Sequence, residues 1–152
     1  MDALPSTYRT PIFIACVLAA HCIAGCTASS DEQKVRAVID AAESAVQARD
    51  TSDVLKLVTD DYTDSQGFDK AQLQQFLRAY FLTHPKIELV VTVGAIEFET
   101  ANRARVRVDI VLLGTQVRPG ATTLTGDTEA LQVELKRQGA EWRVTRVDRI
   151  AD

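Results

Sequence analysis

Few residues in this chain can do chemistry, and their spacing limits what each can do. Asp60, Asp61 and Asp64 crowd one turn-rich stretch. A calcium loop starting at Asp60 would need an acid or amide at its third position and a glutamate at its twelfth. It finds Tyr62 and Ala71 there instead, so the run reads as a solvated acidic turn. Asp109 is the one carboxylate well inside an alternating segment, but it shares its parity with Arg105 and Arg107. It is therefore expected on a polar sheet face, in a cross-strand ion pair. Tyr62 and Tyr80 are the side chains that could point inward as hydroxyl donors and line a pocket. His84, just before Pro85, suits a helix carboxyl end, where an imidazole can meet the last carbonyls. Arg103, Arg105, Arg107, Arg143, Arg146 and Arg149 form a stripe that could hold an anion. Glu97, Glu99, Glu134 and Glu141 on neighbouring predicted strands neutralise it. Proton transfer next to a carbonyl needs a carboxylate and a hydroxyl donor converging in an apolar pocket. The alternation places nearly every charge outside, so the expectation is no catalytic residue, no metal site and no cofactor.

The elements that would position these residues are legible from periodicity. Ser30-Asp31-Glu32-Gln33 is a capping box, and Val35, Val38, Ile39, Ala42 and Val46 follow at helical spacing to about Arg49. Asp50-Thr51-Ser52 offers a stop and a new cap, and Val54, Leu55, Leu57 and Val58 predict a short second helix. The stretch "DDYTDSQG" then reads as a break. Asp69 caps a third helix with Leu73, Phe76, Leu77, Tyr80 and Phe81 on one face. Beyond Pro85 the pattern has a period of two. Ile87, Leu89, Val91 and Val93 alternate, and Ile96 and Phe98 continue on the other parity, as a β-bulge at Gly94-Ala95 would produce. Val106, Val108, Ile110 and Leu112 share a face, as do Leu131, Val133 and Leu135, and "EWRVTRVDRI" closes the chain. Helices first and then a bent antiparallel meander define an α+β domain.

The amino-terminal stretch is different in kind. "PIFIACVLAAHCI" is nearly continuous apolar sequence without a charged residue. About 13 residues would span only ~20 Å as a helix, short of the ~30 Å hydrocarbon core of a bilayer but suited to the centre of a signal peptide. Ile23-Ala24-Gly25-Cys26 resembles the bacterial lipoprotein lipobox at all four positions, whereas Cys16 and Cys22 lack the small residues before them. The resemblance implies cleavage before Cys26 and lipid on its thiol and new amino terminus. More than one acyl chain gives a durable membrane anchor. It also implies, with Thr27 next, the outer membrane facing the periplasm. The mature chain would then keep only His84 of its two histidines and no usable thiol. That excludes His/Cys zinc sites and Cys-His or Ser-His-Asp catalysis. A net charge of −4 excludes a phosphate-tracking nucleic-acid surface, and no glycine-rich phosphate loop is present.

The opening helices, Asp60-Asp61-Tyr62 after the second, the bulged strand and the closing Glu141-Trp142-Arg143-Val144 together resemble the NTF2-like (SnoaL-like, cystatin-like) superfamily. The resemblance implies a cone of N-terminal helices packed on a curved antiparallel sheet. It sets the organisation as a signal peptide over 1–25, a lipidated tether over 26–30 and the NTF2-like domain over 31–152. One departure stands out. The superfamily's enzymes carry a strand or hairpin between the second and third helices, and here only Thr63–Phe68 fills that space. The sequence reading is a membrane-anchored, non-catalytic module that binds a protein partner or a small apolar ligand, with a homodimer through the sheet face. Two alternatives stay open: an isomerase, dehydratase or hydrolase using Tyr62, Tyr80 or Asp109, and an immunity lipoprotein that captures a periplasmic toxin.

Overall fold

The computed structural model describes residues 30–150. Cys26 and the signal segment lie outside the described residues. Among those that are described, no helix is long and apolar enough to cross a membrane.

Three helices and five strands follow in the order α1 (Asp31–Gln47), α2 (Thr51–Lys56), β1 (Val58–Asp64), α3 (Lys70–Thr83), β2 (Lys86–Thr100), β3 (Arg103–Arg118), β4 (Ala121–Gln138) and β5 (Glu141–Ile150). The capping box at Ser30 forms as its spacing predicts. The Gln33 amide donates to Ser30 Oγ at 3.2 Å and the Ser30 amide donates to Gln33 Oε1 at 2.9 Å. Asp69 and Gln72 repeat the arrangement at the start of α3. The end of α1 closes without glycine. Arg49 sits at φ 57°, and the amides of Arg49 and Asp50 return to the carbonyls of Val46 and Ala45.

The strands form one curved sheet in the order β1-β5-β4-β3-β2, antiparallel except for β1, which runs parallel to β5. This confirms the α+β class and corrects one expectation. The segment read as a turn-rich break contains β1, and Val58 starts that strand rather than ending a helix. Its burial runs in an irregular order, with Val58, Thr59 and Tyr62 buried and Asp60 and Asp61 exposed, and its register against β5 shifts between Val58 and Thr63. A strand whose ladder slips cannot show a clean period of two. The space between α2 and α3 therefore holds a strand that the sequence reading left out.

The β2 bulge falls where the phase change indicates, with Gly94 and Ala95 opposite the single residue Arg107. A Cβ on Gly94 would lie 3.0 Å from the Arg107 carbonyl oxygen, so the close approach there requires glycine. The helices cover the inner face of the sheet. One core cluster gathers Val35, Ile39, Tyr62, Val106, Leu135 and Trp142 beneath α1. A second joins Ala45, Val54, Leu77, Phe81 and Ile87 where the helices meet. Trp142 Nε1 donates to Asp31 Oδ1 at 3.3 Å and Arg137 Nη1 reaches Asp31 Oδ2 at 3.1 Å, which fastens the start of α1 to the β4–β5 hairpin. On the outer face, alternation leaves Val90, Val111 and Leu113 exposed behind the inward Leu89, Ile110 and Leu112.

Candidate functional site

Between the helices and the inner face of the sheet lies a cavity of about 450 Å³, lined mainly by aliphatic and aromatic side chains. Pockets of this size and apolarity, with a few convergent polar groups, are the usual form of small-molecule sites. Among the described residues six polar side chains border it: Glu43, Tyr62, Tyr80, Asp127, Glu129 and Arg149.

Tyr62 forms part of the floor. It is 5% exposed, and its hydroxyl has no hydrogen-bond partner among the described residues. Burial raises its phenol well above the ordinary value, and the nearby charges of Asp64 and Asp148 push it further in the same direction. The group is thus a neutral hydroxyl, able to donate, facing an apolar space. Lys70 helps hold the strand that carries it, donating to Val58 O at 3.0 Å and to Asp60 Oδ1 at 2.9 Å.

Tyr80 belongs to a run of rings on α3. Phe76 lies one turn before it, at 5.8 Å between centroids, and His84 one turn after it, stacked at 3.9 Å and 11°. His84 is buried, and its Nδ1 lies 2.9 Å from the Tyr80 carbonyl oxygen, which makes Nδ1 the protonated ring nitrogen. Burial, and secondarily the charge of Asp127, raises the Tyr80 phenol. The helix-end role read for His84 therefore extends to bracing the ring of Tyr80.

The two carboxylates of β4 are the feature that the sequence reading missed. Leu131, Val133 and Leu135 face inward, and Glu129 and Asp127 extend the same parity toward the start of the strand. Asp127 is exposed yet borders the cavity, so it stands at the mouth, and Glu129 is half-buried behind it. The period-two pattern already implied this face. The expectation that nearly all charges point outward followed it only through the apolar positions.

Arg149 arrives by a different route. Glu134 pairs with Arg146 but Leu135 pairs with Val144, so Thr145 is an extra residue in β5. The bulge turns Val147 and Arg149 inward, in line with Trp142 and Val144. Arg149 Nη2 then lies 3.0 Å from Glu129 Oε1. The arginine stripe is thereby corrected, since Arg149 leaves the outer face. Arg105 pairs across strands as expected, with Glu99 and Glu134, whereas the pairs of Arg107 with Asp109 at 3.1 Å and of Arg143 with Glu141 at 2.9 Å each lie within one strand, not across to the neighbouring strand as expected.

Asp109 is half-exposed on the outer face and takes no part in the cavity. The acidic turn is used structurally. Asp60 pairs with Lys70, Asp61 with Lys136 at 3.4 Å, and Asp64 Oδ1 accepts the amides of Gln66 and Phe68. Of the residues singled out from sequence, Tyr62, Tyr80 and Arg149 border the cavity.

No known protein-family profile matches the chain, and no curated protein sequence matches it. Solved structures do. A hexachlorocyclohexane dehydrochlorinase (LinA type 2) superposes with a TM-score of 0.67 at 14% identity, over 78% of this chain and 83% of that one. A ketosteroid isomerase-like protein from Erwinia carotovora atroseptica gives 0.63 at 18% identity, over 82% and 100%. A candidate scytalone dehydratase from Novosphingobium aromaticivorans gives 0.68 at 9% identity, over 78% and 81%. The fold is the NTF2-like α+β cone of the scytalone dehydratase and ketosteroid isomerase type. These neighbours carry the names of enzymes, which overturns the expectation of a non-catalytic module.

Proposed function

We propose that the chain is a proton-transfer enzyme of the isomerase or dehydratase (lyase) kind, acting on a small, largely apolar substrate held in the inner cavity. Glu129 is the base. Arg149 engages one carboxylate oxygen and orients the group, while the other oxygen has no partner among the described residues. The Glu129 carboxylate takes a proton from the carbon next to a substrate carbonyl, and the electron pair moves onto the carbonyl oxygen. Tyr62 donates its hydrogen bond to that developing oxyanion, where a desolvated donor has most effect. The proton returns at a different carbon in an isomerisation. In an elimination, a substituent one carbon further on departs with its electron pair.

The observation that carries this reading is the pairing, on one apolar cavity, of a half-buried carboxylate with a protonated, unpartnered phenol. The fold neighbours named for isomerase and dehydrochlorinase activity support the reaction class. The test is exchange of the α-hydrogens of 2-tetralone, a bicyclic apolar ketone, in D2O, followed by proton NMR. The full chain should accelerate exchange above the buffer rate, and exchange at the buffer rate would overturn the proposal.

The Ile23-Ala24-Gly25-Cys26 motif supports a cellular setting for this chemistry. In that setting Cys26 carries the lipid and the domain is held at a bacterial membrane, the outer membrane facing the periplasm.

A further inference from the structure

The charges bordering the cavity are unbalanced. Glu43 on α1 and Asp127 and Glu129 on β4 are acidic, and among the described residues that line it Arg149 on β5 is the one basic side chain. Arg149 is already engaged by Glu129 at 3.0 Å. Among the described residues this leaves Glu43, which accepts from Gln47 Nε2 at 3.3 Å, and Asp127 without a cation. Asp127 accepts one hydrogen bond, from the amide of its neighbour Thr128 at 2.9 Å. It is exposed at the mouth, whereas the unpartnered hydroxyl of Tyr62, 5% exposed, lies at the floor. The two ends of the cavity therefore ask for opposite things: an acceptor at the floor, to take the Tyr62 proton, and a hydrogen-bond donor or cation at the mouth, to meet Asp127.

We infer that the ligand is an apolar molecule with an acceptor oxygen at its buried end and a donor or cationic group, an amine above all, at the end left at the mouth. A carboxylate at that end is rejected by Asp127. This deepens the reading of the cavity given above and rests on it. Asp127 sets specificity here and takes no part in the proton transfer.

The full chain, held in lipid nanodiscs, would be titrated with 2-naphthylmethylamine, 2-naphthylmethanol and 2-naphthoate. These share a bicyclic body and differ in the head. The expected order of affinity is amine, then alcohol, then carboxylate, with the amine about tenfold tighter than the carboxylate in low salt. Asp127→Asn should bring the three within about threefold of one another. The residue is exposed, so this change leaves the fold intact. Alcohol binding without discrimination between amine and carboxylate, or discrimination that survives Asp127→Asn, would overturn the inference and leave the cavity reading standing. Failure of all three probes to bind would overturn both.

Discussion

Arg149 and Glu129 meet at 3.0 Å only because β5 slips by one residue at Thr145, which turns the arginine from the outer face of the sheet to the inner one. The pair is a positioning device. The Arg149 side chain is 61% exposed, so its contribution to stability is small, within about 1 kcal/mol. Arg149→Gln should therefore leave thermal unfolding nearly unchanged. It should also lower kcat for 2-tetralone exchange about tenfold with little change in KM, because it disturbs how the base is held rather than how the ketone binds. Steady-state kinetics beside a melting curve separates the two effects.

Tyr62→Phe removes one donor to the developing oxyanion. Loss of such a donor costs about 100-fold in kcat or more. Apolar ligand binding should stay within about threefold of wild type, since the ring remains. The raised phenol has two consequences with pH. The donor stays protonated through the ordinary phenol range, so the exchange rate should show no descending limb from this group between about pH 8 and pH 10. The unfolded chain, with the phenol at its ordinary 10.0, loses its proton first as pH rises, whereas the folded chain retains it. Unfolding is then favoured, and stability should fall above that pH and not below it. Urea titrations between about pH 8 and pH 11 would show this, and Tyr62→Phe should flatten the fall.

Arg49 adopts a left-handed backbone conformation at φ 57° to close α1, a position usually given to glycine. An L side chain there costs about 1 kcal/mol. Arg49→Gly should raise the stability of the fold by up to that amount, read as a higher urea midpoint at unchanged slope.

Cys26→Ser tests the cellular setting apart from the chemistry. The variant should fail to incorporate labelled palmitate and should move from the membrane pellet to the soluble fraction, while 2-tetralone exchange by the purified chain is unchanged. A pelleted, labelled Cys26→Ser protein would exclude this thiol as the anchor point.

How much of this was legible in the sequence depended on whether a single periodicity ran unbroken. Helices α1 and α3 were readable because capping boxes at Ser30 and Asp69 precede clean apolar stripes. The β2 bulge was readable because Gly94 marks it and the buried face changes phase there. Strand β1 was not, since two aspartates interrupt its buried positions and its parallel partner lies about 85 residues further along the chain, where no local pattern can announce the pairing. The candidate site divides the same way. Glu129 and Asp127 were available from the parity of Leu131, Val133 and Leu135. Arg149 was not, because the slip at Thr145 carries no glycine and only Val147 follows Trp142 and Val144 on the shifted parity, too little to mark a change of phase. A carboxylate on an inward parity is a signal; a cation delivered by an unmarked bulge is visible only in three dimensions.

The most direct measurement compares Glu129→Gln with the wild-type chain in the deuterium exchange of 2-tetralone, with ligand binding recorded on the same samples. The amide keeps the shape and hydrogen-bonding reach of the carboxylate and cannot accept the proton. The wild type should exceed the buffer rate, Glu129→Gln should fall about 100-fold or more toward it, and naphthylmethanol binding should be retained. Exchange by Glu129→Gln at the wild-type rate would contradict the assignment of the base.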